Sequence, residues 1–226
     1  MSKTVKLETK VKARGHEIAE VLRALFRERG IYVVNIIGSP GAGKTSLLEA
    51  LAPKLRGRAA AIEGDLATDE DKQRLEQQVL RAYQINTVGA CHLDAAMVRD
   101  ALKEFPIEDI ELLFIENVGN LVCPASFELG EDIKVAVVSV TEGDDKPAKY
   151  PKAMQVSSAM VVSKTDLLPH VRCDVERMKR DATAVVPGMP VFTVSAHTGT
   201  GLDEFLAWID ERACARRDAD KAAGDR

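Results

Sequence analysis

The chain is organised as short apolar runs, several of them rich in β-branched residues, that alternate with longer amphipathic stretches. Runs that are apolar throughout are typical of strands covered on both faces, as in parallel sheets. The predicted strands are residues 31–37, 59–63, 85–87, 112–115, 134–140, 160–162 and 191–194. The predicted helices are residues 15–29, 69–79, 94–105, 174–185 and 202–216. This alternation predicts an α/β fold with a mainly parallel central sheet and helices on both faces.

The two ends of the chain differ in composition from its middle. Residues 1–14 are Lys-rich, and we expect a flexible N-terminal arm there. Residues 217–226 are charged and Ala-rich, and we expect this tail to fray rather than extend the last helix. Residues 15–216 are predicted to form a single domain, because 226 residues with 46% hydrophobic side chains suffice for one well-buried core.

The motif with the clearest chemistry follows the first predicted strand. Residues 38–45 match the pattern G-x-x-x-x-G-K-T and lead into a helix-like stretch, which is the context of a phosphate-binding loop. Backbone N–H groups of such a loop bind phosphate, Lys44 reaches the outer phosphates, and the Thr45 hydroxyl binds Mg²⁺. The sequence therefore predicts a P-loop NTPase. The residues predicted here to bind nucleotide are Gly38, Ser39, Pro40, Gly41, Ala42, Gly43, Lys44, Thr45 and Ser46.

Polar residues after two later strands indicate which base is bound. Ser163, Lys164 and Asp166 resemble the [N/T/S]-K-x-D element of GTPases, in which the carboxylate accepts hydrogen bonds from guanine. Ser195 and Ala196 resemble the last GTPase element, whose backbone N–H binds the guanine oxygen. Because adenine has no such donor pair on that edge, these residues predict specificity for GTP.

Acidic residues follow two other predicted strands, where ligands of doubly wound sheets bind. Glu116 and Gly119 resemble the third GTPase element, D-x-x-G, with Glu in place of Asp. We expect Glu116 to hold Mg²⁺ through water and the Gly119 N–H to sense the γ-phosphate. Asp65 is the second candidate carboxylate, for Mg²⁺ or for orienting the attacking water. The predicted catalytic residues are thus Lys44, Asp65, Glu116 and Gly119.

A thiol and an imidazole adjoin in Cys91 and His92, in a loop before a predicted helix. This donor pair suits Zn²⁺ or Ni²⁺, and Cys123 is a candidate third ligand. A symmetric dimer would double every ligand near its axis. A Cys-His pair is more often a packing feature, so the residues by themselves leave metal binding and packing open. Cys173 and Cys214 fall on predicted helices and are expected to be packing or surface thiols.

Taken together, the motifs resemble the HypB family, the nickel-incorporation GTPases of [NiFe]-hydrogenase maturation, over about residues 15–212. The stretches that carry the resemblance are residues 38–45, 63–65, 91–94, 116–124 and 164–169, and the most specific is E-N-V-G-N-L-V-C-P at 116–124. The resemblance implies a GTPase of the SIMIBI class that forms a nucleotide-dependent homodimer. It implies Ni²⁺ or Zn²⁺ at the dimer interface on Cys91 and His92, with Cys123 completing the set. It also implies a HypA-type metallochaperone and the hydrogenase large subunit as partners, and slow GTP hydrolysis that times nickel transfer.

The chain departs from the family at two places. Residues 1–30 contain a single histidine, His16, and no cysteine, so we expect no separate N-terminal nickel site. Ser163 stands where Asn usually braces the phosphate loop, and the shorter side chain predicts weaker nucleotide binding.

Three alternatives stay open: a UreG-type GTPase, which carries a Cys-Pro-His motif instead; the cobalamin-enzyme chaperone GTPase, which lacks the Cys-His-Leu-Asp loop; and a P-loop small-molecule kinase. A nucleotide-binding switch with negligible turnover is a further possibility.

Charge and cysteine content narrow the setting. The formal net charge is −4, which gives no overall attraction for nucleic acid or an anionic membrane. No apolar run approaches the roughly 20 residues of a membrane span, and the N-terminus lacks a signal-peptide core. The four cysteines form no C-x-x-C pair and are expected to be reduced. These observations predict a cytoplasmic protein.

Overall fold

The computed structural model describes residues 3–65 and 80–224, and the side chains of residues 13–64 and 80–223. Its strands are β1 (Tyr32–Gly38), β2 (Ala59–Asp65), β3 (Arg81–Asn86), β4 (Leu112–Glu116), β5 (Ile133–Ser139), β6 (Ala159–Ser163) and β7 (Val191–Thr193). Its helices are α1 (Lys3–Glu28), α2 (Lys44–Leu55), α3 (Ala95–Ala101), α4 (Lys146–Lys149), α5 (Pro151–Val156), α6 (Val175–Val185) and α7 (Leu202–Gly224). The helix predicted over residues 69–79 lies outside the described part of the chain.

The seven strands form one sheet in the order β3-β2-β4-β1-β5-β6-β7, and every pairing is parallel. The predicted parallel α/β sheet is therefore confirmed. The central strand β1 lies between β4 and β5, with Ile36 opposite Glu116 on one side and Gly38 opposite Val137 on the other. Because all strands run the same way, the polar residues that follow β1, β2, β4, β6 and β7 lie along one edge of the sheet.

Apolar side chains cover both faces of the sheet. On one face, α2 and α7 pack against β1 and β5 through residues such as Leu48 and Phe205. On the other face, α1 and α3 cover β2 and β4, while α5 and α6 cover β5 and β6. Burying one such large side chain contributes about 1.5–3 kcal/mol. The site at the sheet edge thus rests on a rigid aliphatic core.

The ends of the terminal helices were predicted wrongly. The first helix begins at Lys3 instead of residue 15, because the Lys, Leu and Glu residues ahead of Gly15 favour helix and a single glycine costs a helix only about 1 kcal/mol. The last helix continues to Gly224 rather than fraying after residue 216, since its final turns are rich in Ala. Cys173 precedes α6 instead of lying on it. The division into arm, domain and tail stays a prediction.

The two short helices α4 and α5 were not predicted. Each has a proline in its first turn, which is the helical position where proline fits without losing a hydrogen bond. None of the described helices combines the length and apolar character needed to cross a membrane.

Candidate functional site

The phosphate loop connects β1 to α2 as predicted. Gly41 and Gly43 have φ of +72° and +87°, a backbone conformation that side chains disfavour. A Cβ built at Gly38 would lie 2.6 Å from the Val137 carbonyl oxygen of the neighbouring strand. The glycines of the motif are therefore required by the turn and by close backbone packing. The loop ends at the N-terminus of α2, where backbone N–H groups favour an anion.

Lys44 of the phosphate loop lies close to Glu116, which ends β4. Lys44 is buried, and its Nζ donates to the carbonyl oxygens of Gly38 at 3.5 Å and Ser39 at 3.4 Å. Its Nζ also lies 3.9 Å from Oε1 of Glu116, at the end of β4. The Thr45 hydroxyl donates to the same Oε1 at 2.9 Å. A hydroxyl and a carboxylate oxygen at this separation are the hard donors that Mg²⁺ prefers.

A second buried acid, Glu63, stands beside Glu116, and the motif reasoning did not assign it a role. The two residues are opposite each other in the β2–β4 register, and they are 3% and 8% exposed. The sequence signal was available, since both residues end an apolar run. Asp65 ends β2 two residues further on, and its side chain lies outside the described set. Its assignment to Mg²⁺ or water stays a prediction.

The element that follows β4 packs directly on the phosphate loop. A Cβ built at Gly119 would lie 3.0 Å from atoms of Pro40, so glycine allows this contact. Asn120 forms an antiparallel bridge with Gly38. A group bound at the outer end of the phosphate loop would therefore meet the backbone around Gly119, as a γ-phosphate sensor requires.

Ser163 and Lys164 brace the phosphate loop from the end of β6. The Ser163 hydroxyl is buried and donates to the Ala42 carbonyl oxygen at 2.6 Å. Lys164 has a left-handed backbone, with φ of +58°, and its Nζ donates to the Gly41 carbonyl oxygen at 2.6 Å. The serine at this position therefore still reaches the loop, although it is shorter than the asparagine usual in GTPases. The prediction of weaker nucleotide binding stays untested.

The predicted guanine-binding residues lie together at the ends of β6 and β7. The Ser195 hydroxyl donates to Asp166 Oδ1 at 2.6 Å, and this hydrogen bond holds the pKa of the Asp166 carboxyl below its usual range. The Thr165 N–H donates to the Val194 carbonyl oxygen at 3.1 Å and joins the two turns. Ser195 thus orients the carboxylate that would accept hydrogen bonds from guanine. Ala196 follows in the same turn.

The three candidate metal ligands meet on one side of the site. The ligand atoms of Cys91, His92 and Cys123 all lie within 4.8 Å of one another, and Cys91 Sγ is 3.6 Å from His92 Nδ1. The His92 ring stacks on Phe127, with ring centroids 3.8 Å apart and planes inclined by 19°. Two thiols and one imidazole leave a fourth position open on a tetrahedral metal.

The protonation of these groups reflects their surroundings. The hydrogen bond with Cys91 raises the pKa of the Cys123 thiol above its ordinary value. Partial burial lowers the pKa of His92, against a smaller opposing effect of the Asp94 carboxylate. A neutral imidazole has a lone pair for a metal, whereas a thiol must first lose its proton.

Two asparagines that the sequence reasoning did not assign connect this cluster to the nucleotide elements. Asn117 is buried, and its Oδ1 accepts the Leu93 N–H at 3.0 Å, one residue beyond His92. Asn120 Oδ1 accepts the N–H of Val122 at 2.7 Å and that of Cys123 at 3.4 Å. The role of Asn117 was not predictable from spacing, because it depends on how two distant loops meet. The role of Asn120 is local, since asparagine commonly accepts the N–H groups two or three residues further along its own turn.

The rim of the cluster is apolar and exposed. Val88 is 89% exposed and Val122 is 58% exposed, and they lie near Cys91 and next to Cys123 along the chain. Val88 also has φ of +49°, a strained backbone conformation that is unusual for a β-branched residue. A second group of potential ligands, His16, Glu20 and Glu128, is exposed, and His16 and Glu128 line a pocket with Asp94 and Phe127 beside the cluster. Arg23 pairs with both of its carboxylates, so a bound cation would compete with a guanidinium.

The fold and the site together define a phosphate-loop nucleotide-binding protein with a Cys/His cluster beside the segment that follows β4. The family described as CobW/HypB/UreG, nucleotide-binding domain, matches residues 32–193. Hydrogenase maturation factor HypB of Escherichia coli K12 is 45% identical over 213 residues, which are 93% of this chain and 73% of that protein. The chain belongs to the HypB family of hydrogenase maturation factors.

Two further relatives add functional detail. Hydrogenase/urease maturation factor HypB of Helicobacter hepaticus is 40% identical over 93% of this chain and 88% of that protein. The crystal structure of HypB from Helicobacter pylori in complex with nickel superposes with a TM-score of 0.85 at 36% identity, over 90% of this chain and 97% of that one. These matches favour a maturation factor over the kinase alternative.

Proposed function

We propose that this chain is a GTP-hydrolysing nickel metallochaperone that binds Ni²⁺ or Zn²⁺ at a dimer interface and assists nickel insertion into [NiFe] hydrogenase. The observation that carries the proposal is the convergence of Cys91, His92 and Cys123 on loops that are hydrogen-bonded to Asn117 and Asn120, in the segment that follows β4 beside the phosphate loop. A plain GTPase has no need of this cluster, and a plain metal carrier has no need of the phosphate loop.

GTP is the proposed nucleotide. Asp166, oriented by Ser195, accepts hydrogen bonds from guanine, and the Ala196 N–H binds the guanine oxygen. Ser163 and Lys164 hold the phosphate loop from the base side. Adenine would leave the Asp166 carboxylate without its two donors, and a site built this way rejects the wrong base strongly.

Hydrolysis is proposed to need little beyond positioning and charge, as in other phosphoryl transfers. Lys44 neutralises the outer phosphates, while Thr45 and Glu116 hold Mg²⁺, directly and through water respectively. Asp65 holds Mg²⁺ or orients the attacking water, and the Gly119 N–H senses the γ-phosphate. We expect slow intrinsic turnover, which suits a timing device better than a metabolic enzyme.

Nickel is the proposed cargo, with zinc as the alternative ion. Thiolates and imidazole suit either metal, and the relative from Helicobacter pylori forms a complex with nickel. Three ligands from one chain leave the coordination incomplete, and a second copy across a symmetry axis would complete it. The exposed Val88 and Val122 at the rim support such a contact between copies.

The nucleotide is proposed to control the metal through the two asparagines. Binding or loss of the γ-phosphate acts on the backbone around Gly119. Asn117 passes that movement to the loop of Cys91 and His92, and Asn120 passes it to Cys123. Both links are direct hydrogen bonds, so a change of phosphate contacts would alter the metal geometry in the same step.

The proposed partners are a HypA-type metallochaperone and the large subunit of a [NiFe] hydrogenase. A second client class, urease, is favoured by one observation: the relative from Helicobacter hepaticus carries the name of a hydrogenase/urease maturation factor. Restoration of hydrogenase or of urease activity in cells that lack their own maturation factor would separate the two clients.

Equilibrium dialysis against Ni²⁺ tests the metal assignment. The Cys91→Ala variant is expected to lose the nickel that the wild-type protein retains. Cys214→Ala is the matched control, because Cys214 is an exposed thiol on α7 outside the cluster. Equal nickel stoichiometry in the wild-type and Cys91→Ala proteins would contradict the assignment.

A competition assay tests the nucleotide assignment. GTP and GDP are expected to displace a labelled guanine nucleotide, whereas ATP is not. Release of phosphate from GTP without an added acceptor would support hydrolysis and exclude the kinase alternative. Preferential binding of ATP would overturn the proposed GTPase.

A further inference from the structure

The connection between β4 and β5, residues 117–132, crosses one face of the sheet with one 3₁₀ turn, Pro124–Ser126, and without an α-helix. Parallel strands are usually joined through a helix, which satisfies its own backbone hydrogen bonds. An irregular segment over a sheet must find other partners for its carbonyl and N–H groups. Because this segment carries Cys123 and Phe127, whatever fixes its backbone also fixes one side of the metal cluster.

A buried ion pair supplies those partners. Lys134, on β5, donates from Nζ to the carbonyl oxygens of Pro124 at 3.0 Å and Phe127 at 2.9 Å. The same ammonium lies 3.2 Å from Glu131 Oε1, while Glu131 Oε2 accepts the Leu129 N–H at 2.5 Å. Lys134 and Glu131 are 6% and 8% exposed, so water competes little with these contacts.

Asn35, in the middle of β1, extends the network to the other metal-carrying loop. Its Nδ2 donates to Glu131 Oε1 at 3.0 Å, and its Oδ1 accepts from Asn117 Nδ2 at 3.3 Å. Asn117 in turn accepts the Leu93 N–H, next to His92. Asn35 is fully buried. A continuous network of hydrogen bonds therefore joins the His92 loop to the β4–β5 connection.

This hydrogen-bonded network interrupts a face of the sheet that is otherwise apolar. Asn35 lies between Val33 and Ile37 of the same face, and Ala136 of that face follows Lys134 on β5. A buried ion pair seldom adds net stability over apolar side chains of similar volume. Hydrogen bonds are directional, however, and a fully satisfied buried network fixes one arrangement of the segments it joins. We therefore expect the network to fix the positions of the segments it joins and to add little to the stability of the fold.

We propose that Asn35, Glu131 and Lys134 are positioning residues for the nickel site, which set the Cys91–His92 loop and Cys123 at their ligating separation. This inference rests on the proposed nickel function. Lys134 also fixes the backbone of Phe127, on which the His92 ring stacks, so the network orients the imidazole as well as the thiol. Removing residues that orient metal ligands through hydrogen bonds, without contacting the metal themselves, typically weakens metal binding about 10–100-fold.

Nickel titration of an Asn35→Leu variant tests the proposal, because leucine keeps the number and branching of the side-chain heavy atoms and removes both hydrogen bonds. The affinity for Ni²⁺ is measured by competition with a chromophoric chelator, together with the thiolate-to-nickel charge-transfer absorption. We expect the affinity to fall by about tenfold or more and the absorption to change as Cys123 leaves the metal. The affinity for GDP is expected to stay unchanged.

The matched control is Arg58→Met, which breaks the two-bond pair of Arg58 with Asp210, remote from the cluster. It is expected to lower stability while leaving nickel affinity and absorption as in the wild type. A purely structural role of the Asn35 network would give the same pattern as this control, since the charge-transfer absorption reports the ligands of the bound metal.

A double variant, Glu131→Gln with Lys134→Met, removes both charges together and leaves no unpaired ion in the core. Wild-type nickel affinity and absorption in folded Asn35→Leu and in the folded double variant would overturn the proposal. If neither variant folds, amide exchange of the wild-type protein decides: slow exchange of the Leu93 and Leu129 N–H groups supports the network, and fast exchange overturns it. Absence of nickel binding in the wild type would instead overturn the proposed function itself, and the positioning role with it.

Discussion

The side-chain oxygen of Asn117 accepts a hydrogen bond from the backbone N–H of Leu93 at 3.0 Å. Asn117 directly follows Glu116, the proposed Mg²⁺ acid, and Leu93 directly follows His92, a proposed nickel ligand. One buried amide thus joins the two functional loops. In the proposed mechanism, this is one of two hydrogen bonds through which the phosphate state reaches the metal, and the other joins Asn120 to Cys123.

Replacing Asn117 with Ala is expected to weaken the coupling between nucleotide and nickel, because only the link through Asn120 remains. A coupling between two sites is typically worth about 1–3 kcal/mol, or about 5–150-fold in affinity. We expect a smaller difference in nickel affinity between GDP and a non-hydrolysable GTP analogue than in the wild type, and a loss of about 1–3 kcal/mol of stability from the unpaired Leu93 N–H. Nickel titration in both nucleotide states checks this. The control is Thr183→Ala, which removes a side-chain hydrogen bond to the Lys179 carbonyl oxygen on α6. An Asn117→Ala protein that keeps the wild-type difference would refute the link.

Replacing Ser163 with Ala is expected to weaken nucleotide binding, because the hydroxyl that holds the Ala42 carbonyl is lost. The loss of one buried hydrogen bond costs about 1 kcal/mol, so the Kd for GDP should rise about fivefold. Ser157→Ala is the control, since its hydroxyl makes a similar bond to Ala153 far from the loop. Fluorescence titration with a labelled GDP gives both constants, and equal affinities for GDP in the wild type and Ser163→Ala would show that the brace is dispensable.

Replacing Asp166 with Asn is expected to change the preferred base. The amide would present a donor to the guanine N1–H and amine, and GTP affinity should fall by at least about 100-fold. Xanthine carries a carbonyl in place of the amine, so xanthosine triphosphate should bind better to the variant than GTP does. Competition binding with both nucleotides checks the reversal. Retained GTP preference would show that Asp166 does not contact the base.

Replacing Glu116 with Gln is expected to slow hydrolysis about 100-fold, because the neutral amide holds Mg²⁺ poorly and metal ions contribute several kcal/mol at phosphoryl groups. Phosphate release at increasing Mg²⁺ concentration is the measurement, and the variant should need more Mg²⁺ than the wild type. Glu111→Gln, at an exposed position paired with Arg58, is the control. Unchanged turnover in Glu116→Gln would remove this residue from the Mg²⁺ site.

The sheet and the phosphate loop were predictable because their signals are local. A continuous apolar run such as residues 31–37 fixes a buried strand, and the glycine pattern that follows fixes the loop. The rule that ligands bind at the carboxyl ends of parallel strands then located Glu116 and Asp166.

The metal cluster could be suspected from the sequence but not assembled. Cys91 and Cys123 are far apart along the chain, and only the path of the β4–β5 connection across the sheet brings them together. Periodicity gives no signal for that path, because the segment has no α-helix. In the sequence, Asn35 is an isolated polar residue within an apolar strand. Only the folded structure shows that Asn117 and Glu131 are its hydrogen-bond partners.

The central claim is that the phosphate state of the bound nucleotide sets the nickel affinity of the Cys91, His92 and Cys123 cluster. The most direct test is the Kd for Ni²⁺ of the wild-type protein with GDP and with a non-hydrolysable GTP analogue, each in the presence of Mg²⁺. We predict that the two constants differ by about fivefold or more. Equal constants in the two states would contradict the account.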